Sequence, residues 1–549
     1  MHFDNSGQGP LQVPGFNSVL LDYRLPREDR FAHGFVEFRH TPRLTAREVA
    51  MLRVMEVITE EDRWDEAVLQ PDESRLAKWY ANAQKTEGFL ISPAARDWCV
   101  AELRDKALAW RMSGRLLLLN TSSAVCVAED ISLASSLRRR LIERLDPAKS
   151  RPSLESPDYL HLWLPCEVKF SSDGTKNVRI TSYINNLHPQ HHRDLYALLE
   201  VLIAQAVPTW DDVLFKGTHG RSPPRILTYG FEAYNGEYPK VVRQAALRKH
   251  GRLWTFDHPE PGKSFSYEQW KAGRHTGRAI VPQARGHFPD PEHHESVSIN
   301  LAEQFREVGV QVTIQVSRID LTPDNPTYAG ESMFHVEGLL NEHIAATTVY
   351  CVDEENVTEA RFTFQHEDKI HAYEYDHSNR HVMSSILDLP DWNILGEDPP
   401  PPAVHTLGSV PARRGRLLSW PNTLRSKADS FTLQDPGRAG HRTLIKLRLV
   451  DPHYRICSTR NVPPQQHDWW AEAARTAAGL DTRLPAELVQ LILDHTESWP
   501  MSMADALNLR EEFRREQVRA QQAVHHIEGH HIVGDLDAIQ DQWRLGESP

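Results

Sequence analysis

Hydrophobic and polar residues alternate most regularly in the run VQVTIQVSRIDL, which begins at Val310. Side chains two residues apart on a strand share a face, so Val310, Val312, Ile314 and Val316 predict one buried strand face. Similar runs follow it along the chain: ATTVYCV, ARFTF, GRLLSWPN and HRTLIKLRLVDP. We therefore predict a β core that is drawn mainly from residues 310–452.

Helical signals lie on both sides of this core in the sequence. Thr45 and Glu48 have the spacing of a capping box, and Ser92 followed by Pro93 has the form of a helix start. A helix over residues 194–206 is predicted to end before Pro208, because the residue before a proline disfavours helical geometry. Further helices, expected to pack outside the β core, are predicted around 45–60, 93–113 and 131–145 and after 484.

The fold class that follows is α+β, with helical regions packed around a double-stranded β-helix, or jelly-roll, core. Several antiparallel strands together with a sparse metal motif favour this architecture. The predicted division is an extended lead-in at 1–40, a helical N-terminal region at 41–160, a β-helix core at 161–470 with a loop-rich insertion at 215–300, C-terminal helices at 471–515 and a polar tail at 516–549.

Composition narrows the classes of partner. The net charge is 62 − 75 = −13, which argues against nonspecific binding to nucleic acid or to an anionic membrane. No apolar run approaches the roughly 20 residues that span a bilayer, and the N-terminus lacks the features of a signal peptide. The five cysteines are scattered and form no CxxC pair, which suits free thiols in a reducing compartment. We expect a cytoplasmic protein that acts on a small molecule.

The candidate chemistry lies in the segment YAGESMFHVEG, where His335 and Glu337 are two residues apart. If this segment is a strand, the imidazole and the carboxylate share a face and can converge on one small cation. Two histidines and one carboxylate on a β scaffold form the facial triad of non-haem Fe(II) oxygenases. The alternative is that the two side chains form a hydrogen-bonded pair with a structural role.

Other histidine clusters are interpreted as cap and surface residues. His188, His191 and His192 flank a loop-to-helix junction, which fixes no ligand geometry. The histidines of the tail motif HHIEGHH, which could bind metal adventitiously, are His525, His526, His530 and His531.

Several ordered blocks of the sequence resemble a fungal family, domain of unknown function 4246. The blocks are LPCEVKF, ITSYINNLHP, FHVEGLLNEHIAAT, ENVTEARFTF, GHRTLIKLRLVDP and STRNVPPQQ. With further blocks at both ends, the resemblance spans roughly residues 12 to 515. The family pattern is similar to that of 2-oxoglutarate/Fe(II) oxygenases with a double-stranded β-helix core.

The resemblance implies roles for three residues of this chain. His335 and Glu337 match the first histidine and the carboxylate of the metal motif. Arg442 matches the position that binds the 2-oxoglutarate carboxylate, a role that the planar guanidinium fork suits well.

The same comparison shows a departure in the block WPNTLRSKADSF. The slot of the second metal histidine holds Ser426, between Arg425 and Lys427, and a neutral hydroxyl is a poor ligand for iron. His441 neighbours Arg442 on a predicted strand and should therefore face the opposite way. The remaining candidate donors are His366, His371 and His377.

Three hypotheses follow. The first is an active Fe(II)/2-oxoglutarate-dependent oxygenase of a small molecule. In it His335, Glu337 and a third donor bind iron, and the third donor is unknown because Ser426 occupies the expected slot. The second is a non-catalytic member of the same fold that binds a ligand or a partner. In the third, His335 and Glu337 only stabilise the barrel. The first two predict that Arg442 points into the same cavity as His335 and Glu337.

Overall fold

In the computed structural model, the described residues are 25–26, 29–37, 44–70, 72–87, 91–145, 164–171, 177–216, 220–226, 245–249, 252–256, 260–263, 265–273, 298–368, 386–388, 403–496 and 498–529. The histidines His371, His377, His530 and His531 therefore lie outside the described residues.

The helices are α1 (Gly34–Glu37), α2 (Ala46–Thr59), α3 (Trp64–Leu69), α4 (Glu73–Glu87), α5 (Pro93–Ser113), α6 (Ile131–Leu145), α7 (Arg193–Val213), α8 (Tyr267–Lys271), α9 (Leu301–Gln304), α10 (His467–Ala478), α11 (Leu480–Arg483), α12 (Ala486–His495) and α13 (Met503–Gly529). The predicted helix starts are confirmed. The Thr45 side chain accepts the Glu48 N–H in the first turn of α2, and the Ser92 side chain accepts the Ala95 N–H in the first turn of α5. None of the described helices is both long and apolar enough to cross a bilayer.

The strands are β1 (Arg115–Leu118), β2 (Val125–Glu129), β3 (Cys166–Phe170), β4 (Val178–Ile180), β5 (Ala245–Lys249), β6 (Arg252–Phe256), β7 (Val310–Leu321), β8 (Thr327–Tyr328), β9 (Ile344–Glu355), β10 (Arg361–Asp368), β11 (Ala403–Pro411), β12 (Arg416–Pro421), β13 (Arg425–Ala428), β14 (Phe431–Thr432) and β15 (Gly440–Val450). The alternating run from Val310 to Leu321 forms a single strand, as predicted.

Eight strands form the large sheet, in the order β1-β2-β12-β9-β15-β7-β3-β4. A small sheet has the order β11-β10-β13, and two further pairs are β14-β8 and β5-β6. Neighbouring strands are antiparallel. The α+β class is therefore confirmed. The jelly-roll core is not confirmed, because the described strands divide among separate sheets and close no barrel.

Two hydrophobic clusters lie on opposite faces of the large sheet. Ile445 and Leu447 of β15 point into the first cluster, where helices α6 and α7 pack. Trp420 of β12 belongs to the second cluster, which also contains Phe362 and Phe364 of the small sheet and side chains of α2 to α5. The small sheet and the N-terminal helices therefore cover the face of the large sheet opposite α6 and α7.

The predicted end of the helix before Pro208 is wrong. Helix α7 continues through Pro208 to Val213. Trp210 in this last turn is fully buried, and its indole N–H donates to Thr348 Oγ1 of β9 at 2.7 Å. Tertiary packing thus offsets the lost backbone hydrogen bond and the local crowding that proline causes.

Both ends of the chain differ from the sequence prediction. Phe31, in the predicted extended lead-in, is buried in the first cluster and pairs with Lys216, and helix α1 follows it. At the other end, α13 continues to Gly529, so residues 516–529 of the predicted polar tail are helical.

Candidate functional site

His335 lies opposite Ser426 in an isolated antiparallel β-bridge. The His335 N–H donates to the Ser426 carbonyl at 3.0 Å, and the Ser426 N–H donates to the His335 carbonyl at 3.1 Å. Beyond this bridge the predicted strand is absent, since the segment bends at Glu337 and continues into a short 3-10 helix, Leu340–Glu342. The bridge therefore places Ser426, at the position expected for the second metal histidine, next to His335.

The side chains of His335 and Glu337 converge, as the sequence predicted. His335 Nε2 lies 3.3 Å from Glu337 Oε1. Asn422 holds the peptide groups of Glu337, because its Oδ1 accepts the Glu337 N–H and its Nδ2 donates to the Glu337 carbonyl, both at 2.9 Å. Gln521 of α13 binds the peptide groups of Val336 in the same way. Its Nε2 donates to the Val336 carbonyl at 2.6 Å, and its Oε1 accepts the Val336 N–H at 3.3 Å.

Two cations from β15 occupy both oxygens of the Glu337 carboxylate. Lys446 Nζ lies 2.5 Å from Oε1, and Arg448 Nε lies 2.9 Å from Oε2. Burial alone would raise the pKa of Glu337, but Lys446 and Arg448 together hold this pKa well below its usual range. Glu337 is therefore ionised and already paired.

The neighbouring acidic groups affect the charge of His335. Burial lowers the pKa of His335, but the hydrogen bond to Glu337 and the nearby charge of Glu331 outweigh burial and raise it. Glu331 Oε2 lies 3.6 Å from His335 Nδ1. Burial also raises the pKa of Glu342 to about 7, against the opposing effect of Arg448. Two groups of the site thus have raised pKa values.

Arg442 lies on the same strand and has the same parity as Lys446 and Arg448, so the three side chains share one face of β15. Only 2% of Arg442 is exposed. Its Nη2 donates to the Ala412 carbonyl, and its guanidinium lies 5.7 Å from the Phe431 ring centroid. Its Nε has no hydrogen-bond partner in the described part of the chain. Among the described residues, Arg442 forms no ion pair.

His441 faces the other side of β15, as the alternation predicted. Its Nε2 lies 2.8 Å from Asp353 Oδ2, and the same oxygen lies 2.9 Å from Arg138 Nε of α6. His441 is therefore not available to complete a site with Glu337. His366 is buried on β10 and, within the described structure, joins no three-donor group with His335 and Glu337.

The residues around Glu337 do not fit a facial triad for Fe(II). One imidazole and one carboxylate converge, but the hydroxyl of Ser426 stands where a second imidazole is needed. No third histidine, cysteine or carboxylate completes the group in the described segments. Lys446 and Arg448 also repel a cation from the one carboxylate that could bind it.

A different three-donor group does exist, and the sequence revealed only part of it. The rings of His188 and His191 stack 4.0 Å apart, and Glu472 of α10 supplies a carboxylate beside them. Glu472 is 281 residues from His191, so local spacing could not indicate it. The sequence analysis also missed Lys446 and Arg448. Their even-numbered spacing from Arg442 in HRTLIKLRLV predicts that the three side chains share one strand face.

Comparisons with known proteins identify the family of the chain. No curated protein sequence matches it. A family described as "Domain of unknown function DUF4246, N-terminal" matches residues 13–82, and one described as "Protein of unknown function (DUF4246)" matches residues 155–473. The second match covers more than half of the chain, which therefore belongs to the DUF4246 family.

Proposed function

We propose that the chain is an oxygenase-like protein that binds a small carboxylate of the 2-oxoglutarate type at Arg442, without efficient iron-dependent turnover. The proposal combines three parts: the arrangement of the strands, the unpaired guanidinium of Arg442, and the incomplete metal triad. The second of these carries the proposal.

The path of the chain supports a double-stranded β-helix. Apart from the short pair β8 and β14, the chain runs from the large sheet (β7) to a bridge with the small sheet at His335 and back to the large sheet (β9). It then enters the small sheet (β10 and β11), the large sheet (β12), the small sheet (β13) and finally the large sheet (β15). Repeated passage of antiparallel strands between two facing sheets is the pattern of a jelly roll. His335 and Ser426 pair across the bridge, and Arg442 lies on β15, the last strand of this path.

The environment of Arg442 favours an anionic ligand. A buried charge is costly unless it is paired. Arg442 has one backbone acceptor, one aromatic neighbour and a buried Nε without a partner. A ligand carboxylate is the group that this guanidinium lacks.

The first test is calorimetric titration of 2-oxoglutarate into the wild-type protein and Arg442→Met. We expect binding to the wild type and a loss of at least about tenfold in affinity for the variant, since a charge-assisted pair contributes about 1.5–3 kcal/mol. Arg514→Met, an exposed arginine of α13, is the matched control and should leave affinity unchanged. Equal affinity in all three proteins, or no binding to any, would overturn the proposal.

An active oxygenase is the second candidate, and the 3.3 Å contact between His335 and Glu337 favours it. The test is 2-oxoglutarate-dependent succinate formation with added Fe(II), in the wild type and in Ser426→His. We expect negligible turnover in the wild type and tighter Fe(II) binding in the variant, because an imidazole would then face His335 across the bridge. Robust turnover in the wild type would instead establish the active oxygenase and a third donor elsewhere.

A further inference from the structure

A second cluster of ligand-type side chains lies where the segment before α7 meets helix α10. His191 Nε2 lies 3.1 Å from Glu472 Oε1, and His188 Nε2 lies 4.0 Å from Glu472 Oε2. The three candidate ligand atoms all lie within 4.8 Å of one another. Two imidazoles and one carboxylate thus converge at a place that the sequence analysis interpreted as surface.

Neighbouring residues orient this cluster. The Trp469 ring, one turn before Glu472 on α10, packs edge-on against His188 with centroids 4.8 Å apart. The backbone N–H groups of Gln190 and His191 approach His188 Nδ1 at 3.3 Å, which directs Nε2 toward the cluster. Both contacts are long, so a small ring rotation releases Nδ1 to carry the proton when a metal takes Nε2.

We propose that His188, His191 and Glu472 bind one divalent transition metal of the zinc class. Zinc takes imidazole nitrogen and carboxylate oxygen at about 2.0–2.2 Å, which places neighbouring ligand atoms about 3.3 Å apart. The His191–Glu472 pair is already at this separation. His191 and Glu472 are 55% and 46% exposed, so their side chains can close the remaining gap by rotation. Three protein ligands leave one tetrahedral position for water.

The proposed metal would join parts of the chain that are distant in sequence. His188 and His191 precede α7, which packs on the large sheet, whereas Glu472 belongs to the first C-terminal helix. A metal that binds only the folded arrangement stabilises it by mass action. A metal at this site would therefore stabilise the packing of α10 against the rest of the fold. This effect does not depend on the ligand binding that we propose at Arg442.

The test uses the full chain with the four tail histidines, at positions 525, 526, 530 and 531, replaced by alanine to remove adventitious binding. Calorimetric titration with zinc chloride alone should show one metal per chain. His191→Ala and Glu472→Gln should each weaken binding by more than about tenfold, because even outer-shell partners of a metal ligand contribute this much.

Matched controls come from exposed residues of α12. His495→Ala and Glu487→Gln should leave zinc affinity unchanged, and His335→Ala should also have no effect because it lies in the other site. Zinc should raise the melting temperature of the tail-substituted protein but not that of its Glu472→Gln variant. The proposal would be overturned if the tail-substituted protein did not bind zinc, or if the His191→Ala and Glu472→Gln variants bound zinc as tightly as that protein.

Discussion

Two buried arginines, Arg225 and Arg442, have opposite environments. Arg225 donates to Glu102 through Nε at 2.8 Å and Nη2 at 2.6 Å, and to Glu48 through Nη1 at 3.1 Å. Its side chain is fully buried, and Trp270 lies against its guanidinium. Arg442 is almost equally buried, yet no carboxylate of the described residues pairs with it.

The difference supports our proposal that Arg225 is a structural cation whereas Arg442 binds a ligand. Glu48 and Glu102 lie on α2 and α5, so Arg225 connects two helices to the segment that carries it. Among the described residues, Arg442 contacts the Ala412 carbonyl and the Phe431 ring but no carboxylate. The anion that we propose it binds would supply the missing charge.

The largest effect should come from Arg225→Met. The substitution leaves Glu48 and Glu102 buried without their cation and should lower the free energy of unfolding by about 3–5 kcal/mol. Urea denaturation followed by circular dichroism measures this loss. Arg514→Met, at an exposed ion pair, should leave the denaturation midpoint unchanged. An unaffected Arg225→Met protein would show that the buried cluster does not stabilise the fold.

Glu337→Gln should lower the free energy of unfolding by about 2 kcal/mol, because charge-assisted bonds from Lys446 and Arg448 are lost. The difference from the wild type should be largest between roughly pH 4.5 and 6.5, where Glu337 is ionised and His335 is protonated. It should shrink as the pH falls through the lowered pKa of Glu337, and also as the pH rises through the raised pKa of His335.

Urea denaturation across this pH range is the measurement for Glu337→Gln. Glu331→Gln is the comparison within the same segment, and its loss should be smaller because Glu331 is 32% exposed and forms no ion pair with Lys446 or Arg448 among the described residues. A loss that did not depend on pH would argue that Glu337 acts by packing and not by charge.

Gln521→Ala should lower the free energy of unfolding by about 1 kcal/mol, because the peptide groups of the buried Val336 lose two hydrogen-bonding contacts. Exchange of the Val336 amide hydrogen should also become faster. Gln522→Ala, an exposed neighbour on the same helix, should change neither quantity. Unchanged exchange at Val336 would show that α13 does not secure the candidate site.

The smallest effect on stability is expected for Arg442→Met in the ligand-free protein. No ion pair of the described structure is broken, so the change in the free energy of unfolding should stay below about 1 kcal/mol in either direction. The same urea denaturation measures it. A loss as large as that of Arg225→Met would place Arg442 with the structural cations, whatever its ligand affinity.

Local signals in the sequence predicted much of the fold. The helix caps at Thr45 and Ser92 are properties of a few adjacent residues. The strand Val310–Leu321 shows its alternation within its own length. The end of α7 could not be predicted, because it depends on the distant contact of Trp210 with Thr348.

The candidate site was less predictable, because its geometry depends on pairings between distant segments. The sequence indicated that His335 and Glu337 converge and that Arg442 and His441 face opposite ways. It could not show that Lys446 and Arg448 neutralise Glu337, since only the folded register of β15 places them there. The sequence also could not show that Glu472 approaches His191, because these residues come together only in the folded chain.

The bracket that Gln521 forms around Val336 also has a consequence for biosynthesis. The two residues are 185 positions apart, so a ribosome that adds about 5–20 residues per second needs roughly 10–40 s to travel from one to the other. During this interval the segment with His335 and Glu337 is exposed to the translation environment without its C-terminal support. The hydrogen bonds around Val336 can form only after residue 521 has been synthesised.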